Sequence, residues 1–175
     1  TEKTLSRYLP EIDGDLDAIR MQDKYQNPIS LKADNIRVRL LHDYGGVWVD
    51  VDSINFRDLA PELEPVLEKY EFAAFRETSP DGPAFHNGFM ASQKGGRIVS
   101  NYLARVTEIL QRKVAAREPF AWAEIGGEPL TAAVEEVGSE VFCFEQKNVW
   151  PVHWKEAARL EAAELELFER IMADP

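Results

Sequence analysis

The stretch Ala33–Asp52, with the sequence ADNIRVRLLHDYGGVWVDVD, decides the fold that the sequence predicts. Its first half predicts a helix that begins near Ser30, which we interpret as the N-cap. Gly45 and Gly46 end this helix, because glycine adopts the left-handed conformation without strain. The apolar stripe of the helix has the spacing of helical turns and consists of Ile36, Leu40 and Leu41.

The segment after Gly46 alternates valines with other side chains and predicts a buried β-strand. The valines point to one face of that strand, and Trp48, Asp50 and Asp52 point to the other. Two such carboxylates lie roughly 6–7 Å apart at their backbones, close enough to serve one divalent cation directly or through water. Because aspartate is depleted in strands, the pair breaks a local rule and indicates a functional site.

The helix contributes a second pair of charged residues. Asp34 and Arg37 are three residues apart and therefore share one helix face. The short glycine link brings this face close to the end of the strand. We expect Asp34, Arg37, Asp50 and Asp52 to converge on one pocket.

The combined pattern A-D-x-x-R-x-x-x-L-x-x-x-G-G-x-W-x-D-x-D, which residues 33–52 match throughout, resembles a known family. It is similar to the sugar-binding-region glycosyltransferases that carry a DXD motif. These include yeast-type α-1,6-mannosyltransferases, bacterial capsular polysaccharide transferases and, more distantly, the clostridial glucosylating toxins. A D-x-D alone is a weak signal, whereas its combination with the helix and the glycine pair is specific.

The resemblance implies roles for particular residues. Asp34 and Arg37 would contact hydroxyls of the donor sugar. Asp52 would bind Mn²⁺ or Mg²⁺, and Asp50 would reach the sugar, the ribose or a metal-bound water. Trp48 would lie close to the donor.

Two later residues complete the implied site. Asn87 resembles a polar contact of the family to the donor or acceptor, and His153 would close the metal shell, since imidazole is an acceptable ligand for Mn²⁺. His42 and His86 are interpreted as structural.

The fold class implied by the resemblance is α/β, a Rossmann-like nucleotide-sugar-binding domain of the GT-A type. We expect one domain over residues 1–175. The family's usual first strand does not precede Thr1, so the domain is expected to be incomplete at its N-terminus. The implied reaction is hexose transfer from a UDP- or GDP-sugar to a hydroxyl of a glycan, lipid-linked or protein acceptor, with retention of configuration.

The rest of the chain predicts ordinary α/β elements. Strands are expected over 71–76, from 86 to 92 and over 141–144, and helices over 98–116, 130–137 and 155–173. The last helix carries its apolar residues along one side and its acidic residues on a solvated face.

The net charge limits the kinds of molecule that the protein is expected to bind. The net charge of −11 argues against nucleic acid, because the field of the protein repels phosphates. A nucleotide-sugar would meet the same repulsion unless a cation neutralised it locally.

Cys143 is the single cysteine and permits no intramolecular disulfide. No apolar run is long enough for a transmembrane helix, and no signal peptide is evident, so a cytoplasmic protein of bacterial type is expected, with a luminal domain cut from its anchor as the alternative.

Two other functions fit parts of the sequence. The run Val47–Ile54, VWVDVDSI, also resembles the first motif of haloacid-dehalogenase phosphatases, in which the first aspartate is a nucleophile. That family requires a late acidic pair near an apolar strand, and this sequence has no late Asp-Asp pair. A catalytically inactive sugar- or metal-binding module of the same fold is the other alternative.

Overall fold

The structure is a computed structural model that describes residues 8, 19, 20, 28–53, 55, 58–79, 82–138 and 141–149. Its helices are α1 (Ile29–Tyr44), α2 (Ala60–Lys69), α3 (Arg97–Ala116), α4 (Gly127–Val137) and the single turn α5 (Gln146–Val149). Its strands are β1 (Gly46–Val49), β2 (Phe72–Ser79), β3 (Gly82–Ser92) and β4 (Val141–Phe144). The described residues therefore form a mixed α/β protein, as the sequence predicts.

The four strands form one mixed sheet in the order β1-β3-β2-β4. β3 pairs antiparallel with both β1 and β2, and β4 pairs parallel with β2. The β2–β3 hairpin is thus the centre of the sheet, and β1 lies at an edge.

The main hydrophobic core lies between one face of the sheet and helices α1, α3 and α4. Tyr102, Phe72 and Phe120 are among its largest fully buried side chains. Trp48 of β1 packs against this core from the edge strand. A smaller cluster on the opposite face joins Leu63 of α2 to the sheet.

The prediction that β1 is a buried strand is wrong. Val47 and Val49 are 42% and 38% exposed, and Val51 is 103% exposed and lies beyond the strand. The register Val47↔Ala91 and Val49↔Phe89 places these valines on the side of the smaller cluster. The alternation of the two faces is correct, but the face that packs on the main core is the one that carries Trp48.

Helix α1 also differs in detail from the prediction. Its N-cap is Pro28, two positions before the predicted N-cap Ser30, which lies inside the helix and does not cap it. Its buried face is set by Leu31, Val38 and Leu41, whereas Ile36 and Leu40 are half-buried. The same buried face contains the polar residues Asp34, Asn35 and Arg37.

The remaining element predictions agree with the structure where they fall on described residues. The strand over 141–144 is present with the predicted bounds. The helices over 98–116 and 130–137 and the strands over 71–76 and 86–92 are also present, each with at least one end shifted. The predicted helix over 155–173 lies outside the described residues. None of the described helices combines the length and the apolarity that crossing a membrane requires.

Gly45 makes the direct passage from α1 to β1 possible. Its φ is +70°, and its N–H donates to the Leu41 carbonyl at 2.9 Å. A Cβ at this position would lie 2.6 Å from the backbone nitrogen of Lys94. The glycine is therefore required both by its conformation and by the close approach of another backbone.

Gly45→Ala should destabilise the protein more than Gly95→Ala. Gly95 also has a positive φ, +65°, but a Cβ there would meet nothing within 4 Å. We expect a loss of about 1–2 kcal/mol for Gly95→Ala, from conformational strain alone. Gly45→Ala adds a backbone clash and should lose more than about 3 kcal/mol. Urea unfolding of both variants measures the difference, and equal losses would contradict the packing argument.

Candidate active site

Three parts of the chain bring together four of the residues that the sequence singles out. Helix α1 supplies Asp34 and Arg37, Asp50 comes directly after β1, and β3 supplies Asn87. Their contacts form one connected network at the edge of the main core.

An irregularity in the central hairpin positions Asn87. The β2–β3 register jumps from Ala74↔Met90 to Phe75↔His86, so residues 87–89 fall outside the β2 ladder. The backbone carbonyls of Asn87 and Gly88 instead accept hydrogen bonds from the Arg37 guanidinium and the Asp50 N–H, at 2.6 and 2.9 Å. Bulges of this kind re-aim side chains next to functional sites.

Arg37 is the centre of the network. Its guanidinium lies 3.4 Å from Asp34 Oδ1 and 3.1 Å from Asp50 Oδ1, and it donates to the Asn87 carbonyl at 2.6 Å. It also lies over the Trp48 ring, 5.1 Å from the centroid. Arg37 is only 5% exposed, so these partners replace its hydration.

Asp34 is the buried carboxylate of the site, at 7% exposure. Its Oδ1 accepts a hydrogen bond from the Asn87 side-chain amide at 2.7 Å. Burial raises the pKa of Asp34 from its ordinary 3.8 to about 6, although Arg37 and Asn87 act in the opposite direction. Within the described residues, the other oxygen, Oδ2, has no hydrogen-bond partner and keeps its capacity to accept one.

Asp50 is partly exposed, and both of its carboxylate oxygens already contact other residues of the site. Its Oδ1 accepts the indole N–H of Trp48 at 2.7 Å, and both of its oxygens face the Arg37 guanidinium. A Cβ on Gly88 would approach Asp50 Oδ2 to 2.9 Å. Glycine at 88 thus leaves room for this carboxylate beside the strand.

Neither Asp50 nor Asp52 lies within the strand, contrary to the prediction. β1 ends at Val49, and a turn follows in which the Ser53 N–H donates to the Asp50 carbonyl at 3.0 Å. Asp52 is exposed in that turn, and no hydrogen bond or ion pair joins its carboxylate to another described residue. It therefore offers a hard oxygen ligand that a cation could take without displacing a protein partner.

The structure describes only two of the three predicted metal ligands, Asp50 and Asp52. His153 lies outside the described residues. In the part of the chain that the structure describes, no group of three or more His, Cys, Asp or Glu side chains is arranged to hold a metal ion. Binding of Mn²⁺ or Mg²⁺ by Asp50 and Asp52 stays a prediction.

Sequence reasoning missed several neighbours of the site. A Cβ on Gly126, just before α4, would lie 3.0 Å from Asp34 Oδ2 and 3.1 Å from Asn87 Nδ2. The Tyr102 hydroxyl of α3 lies 3.4 Å from the Asn87 amide nitrogen. The glycine pair Gly126-Gly127 was a signal of close approach, but nothing distinguished Tyr102 from its apolar neighbours along α3.

His86, for which the sequence predicts a structural role, also faces the site. Its ring stacks on Phe75 with centroids 5.1 Å apart, and its Nδ1 accepts the Gly88 N–H at 3.0 Å. Burial lowers the pKa of His86, which favours the neutral ring. A neutral imidazole with Nδ1 as acceptor keeps its proton on Nε2.

The geometry separates two chemical tasks. Arg37 fixes two carboxylates in place, and the free oxygen of Asp34 can accept a hydroxyl of a polar ligand. Asp52 is exposed a few residues away and can bind a cation. Arg37 pairs with two carboxylates, and the exposed Asp52 adds a third negative charge to the same stretch of chain, so the site attracts a cation more readily than an anion.

The comparisons with known proteins give partial matches. The glycosyltransferase afumC of Aspergillus fumigatus is 41% identical over 68 residues, which cover 36% of this chain and 17% of that protein. The O-glycosyltransferase braB of Annulohypoxylon truncatum is 33% identical over 75 residues, which cover 40% of this chain and 18% of that protein. The match thus spans less than one fifth of either curated relative. The solved structure of the PaToxG glycosyltransferase aligns with 79% of this chain and 41% of its own, at 18% identity and a TM-score of 0.46. No family model matches the chain.

The two curated relatives confirm the predicted similarity to glycosyltransferases and support the prediction of a transferase. The mannosyltransferase grouping, the GT-A subtype, the metal and the retaining mechanism stay predictions.

The raised pKa of Asp34 should make stability depend on pH. The folded protein protonates Asp34 near pH 6 and the unfolded chain near its ordinary 3.8. Protonation of Asp34 therefore contributes its full stabilisation of the folded state below about pH 3.8. This contribution to the free energy of unfolding, about 3 kcal/mol in total, is lost as the pH rises through 6. Urea unfolding of the wild type and Asp34→Asn from pH 4 to 7 isolates this effect. Parallel profiles of the two proteins would show that Asp34 does not titrate as the burial implies.

Arg37→Met should leave Asp34 as a buried charge without its cation. We expect a loss of about 3–5 kcal/mol at pH 7, and a smaller loss at pH 5, where Asp34 is protonated. Adding Asp34→Asn to Arg37→Met should recover part of the stability, because the uncompensated charge is gone. Urea unfolding at the two pH values measures both effects.

Arg39→Met is the matched control for Arg37→Met. Arg39 is a half-buried arginine of the same helix, and it donates to Asn35 at 3.0 Å. Its loss should stay below about 1.5 kcal/mol. Equal effects at positions 37 and 39, or no recovery in the double variant, would contradict the charge argument.

Proposed function

We propose that the chain is part of a metal-dependent glycosyltransferase that moves a hexose from a UDP- or GDP-sugar to an acceptor hydroxyl. The observation that carries the proposal is the network around Arg37, which holds the buried Asp34 next to Asp50. The exposed Asp52 follows Asp50 two residues further along the chain. The similarity to two glycosyltransferases supports the same class of reaction. The name of one relative, an O-glycosyltransferase, supports a hydroxyl as the acceptor group.

The protein's own task in this proposal is to hold and orient the donor. Asp34 Oδ2 accepts a hydrogen bond from a sugar hydroxyl. Arg37 keeps Asp34 and Asp50 in fixed positions, so little reorganisation is needed when the donor binds. Trp48, held by its hydrogen bond to Asp50, presents its ring close to the donor.

We assign the direct contact with a divalent cation to Asp52, because its carboxylate is exposed and joined to no other described residue. Asp50 is a poorer direct ligand, because Trp48 and Arg37 already contact its oxygens; we assign it an indirect role through water. His153 would supply a further ligand. A bound Mn²⁺ or Mg²⁺ supplies charge neutralisation for the leaving diphosphate. The reaction is proposed to retain the anomeric configuration, and the fold to be of the GT-A type.

The contacts of Asp50 argue against the phosphatase alternative. That reading requires Asp50 as the nucleophile, with a carboxylate oxygen free to attack phosphorus. Here Oδ1 accepts from Trp48 at 2.7 Å and lies 3.1 Å from Arg37. These contacts reduce the nucleophilicity of the carboxylate by stabilising its negative charge.

Donor binding and hydrolysis test the proposal. We expect one sugar in a panel of UDP- and GDP-hexoses to bind in the presence of Mn²⁺ and to be hydrolysed slowly. A chelator should abolish both. Asp52→Ala should weaken metal-dependent binding at least about tenfold, because even residues that only support metal ligands have effects of that size.

Asp43→Ala is the matched control for Asp52→Ala. Asp43 is an exposed carboxylate near the end of α1 that pairs with His42, and its loss should leave donor binding unchanged. Binding without turnover of any donor would favour the inactive module. A folded protein that binds none of the donors would overturn the proposed function.

A further inference from the structure

The proposed donor contacts do not use Tyr102, although its hydroxyl lies at the base of the site. Tyr102 is fully buried on α3. Its hydroxyl donates to the Ile125 carbonyl at 3.1 Å and lies 3.4 Å from the side-chain nitrogen of Asn87. It thereby connects three elements: α3, the bulge of β3 and the loop that leads into α4.

The donors and acceptors fix the direction of this chain of contacts. Burial raises the pKa of the Tyr102 hydroxyl, so it keeps its proton and donates to Ile125. Its oxygen then accepts from one N–H of Asn87, while the other N–H of that amide donates to Asp34 at 2.7 Å. A rotated amide would turn its oxygen toward the Asp34 carboxylate, which cannot donate when it is ionised.

Gly126 closes the same corner from the other side. A Cβ there would lie within 3.1 Å of both Asp34 Oδ2 and Asn87 Nδ2. The preceding loop is held in turn by Lys113, which donates to Glu124 at 2.6 Å and to the Pro119 carbonyl at 2.9 Å. The carbonyl that Tyr102 contacts is therefore part of an anchored loop.

We propose that Tyr102 is a positioning residue of the donor site, which fixes the Asn87 amide and through it the Asp34 carboxylate. This inference rests on the proposed function for its effect on the donor. A purely structural tyrosine would stabilise the core through its ring and would not act through Asn87.

The test is Tyr102→Phe, which keeps the ring in the core and removes the hydroxyl. We expect the Kd and KM of the hydrolysed donor to rise about three- to tenfold, the size of effect that one modest hydrogen bond has. The kcat should change less, because the reacting centre is untouched. Tyr70→Phe is the control, since Tyr70 packs on Phe142 away from the site and loses the same atom.

A double-variant cycle separates positioning from general packing. In an Asn87→Ala background, Tyr102→Phe should have no further effect on donor affinity, because the residue through which it acts is gone. An equal additional loss in that background would overturn the proposal. So would an unchanged donor Kd in Tyr102→Phe alone.

A measurement without donor distinguishes this failure from failure of the proposed function. The side-chain amide of Asn87 should become more mobile in Tyr102→Phe, but not in Tyr70→Phe, by NMR relaxation of its NH₂ group. If the Asn87 amide stays rigid in Tyr102→Phe, the positioning role is overturned, whatever the donor-binding measurements give. If the wild type binds no donor but the Asn87 amide becomes more mobile in Tyr102→Phe, the proposed donor-binding function is overturned. The positioning of the Asn87 amide by Tyr102 is then still supported.

Discussion

The structure depends on the burial of one guanidinium. Arg37 lies in the buried face of a helix that otherwise packs on a hydrophobic core, and burying a charge there is unfavourable unless it is fully paired. Its partners come from three elements: Asp34 on its own helix, Asp50 after β1 and the Asn87 carbonyl in β3. The requirement to pair Arg37 therefore fixes how α1, the edge strand and the central hairpin meet.

Three glycines allow these elements to approach that closely. Gly45 turns the chain from α1 into β1 where any Cβ would meet the Lys94 backbone. Gly88 leaves space for Asp50, and Gly126 leaves space for Asp34 and Asn87. Each absent side chain is matched by a polar group of the network or by a tight backbone contact. The absence of side chains at these glycines is thus as necessary for the site as its charged residues are.

Local patterns predicted those parts of the fold that neighbours in sequence determine. The helix before Gly45, the following strand and the pair Asp34–Arg37 depend on spacing and on glycine, and the structure contains all three. The face on which β1 packs was not predictable in this way, because it depends on the edge position of the strand in the order β1-β3-β2-β4. Tyr102 and Gly126 were missed for the same reason, since α3 and α4 reach the site only through tertiary packing.

The turn after β1 makes the two carboxylates of the D-x-D segment unequal. A continuous strand would have placed both on one face with similar surroundings. Instead the chain turns at residues 50–53, which leaves Asp50 against Arg37 and Trp48 and exposes Asp52. A carboxylate paired to a buried arginine is a rigid element of the site, whereas an exposed one can exchange water for a cation. The same two residue types, two positions apart, thus acquire different chemistry from the backbone between them.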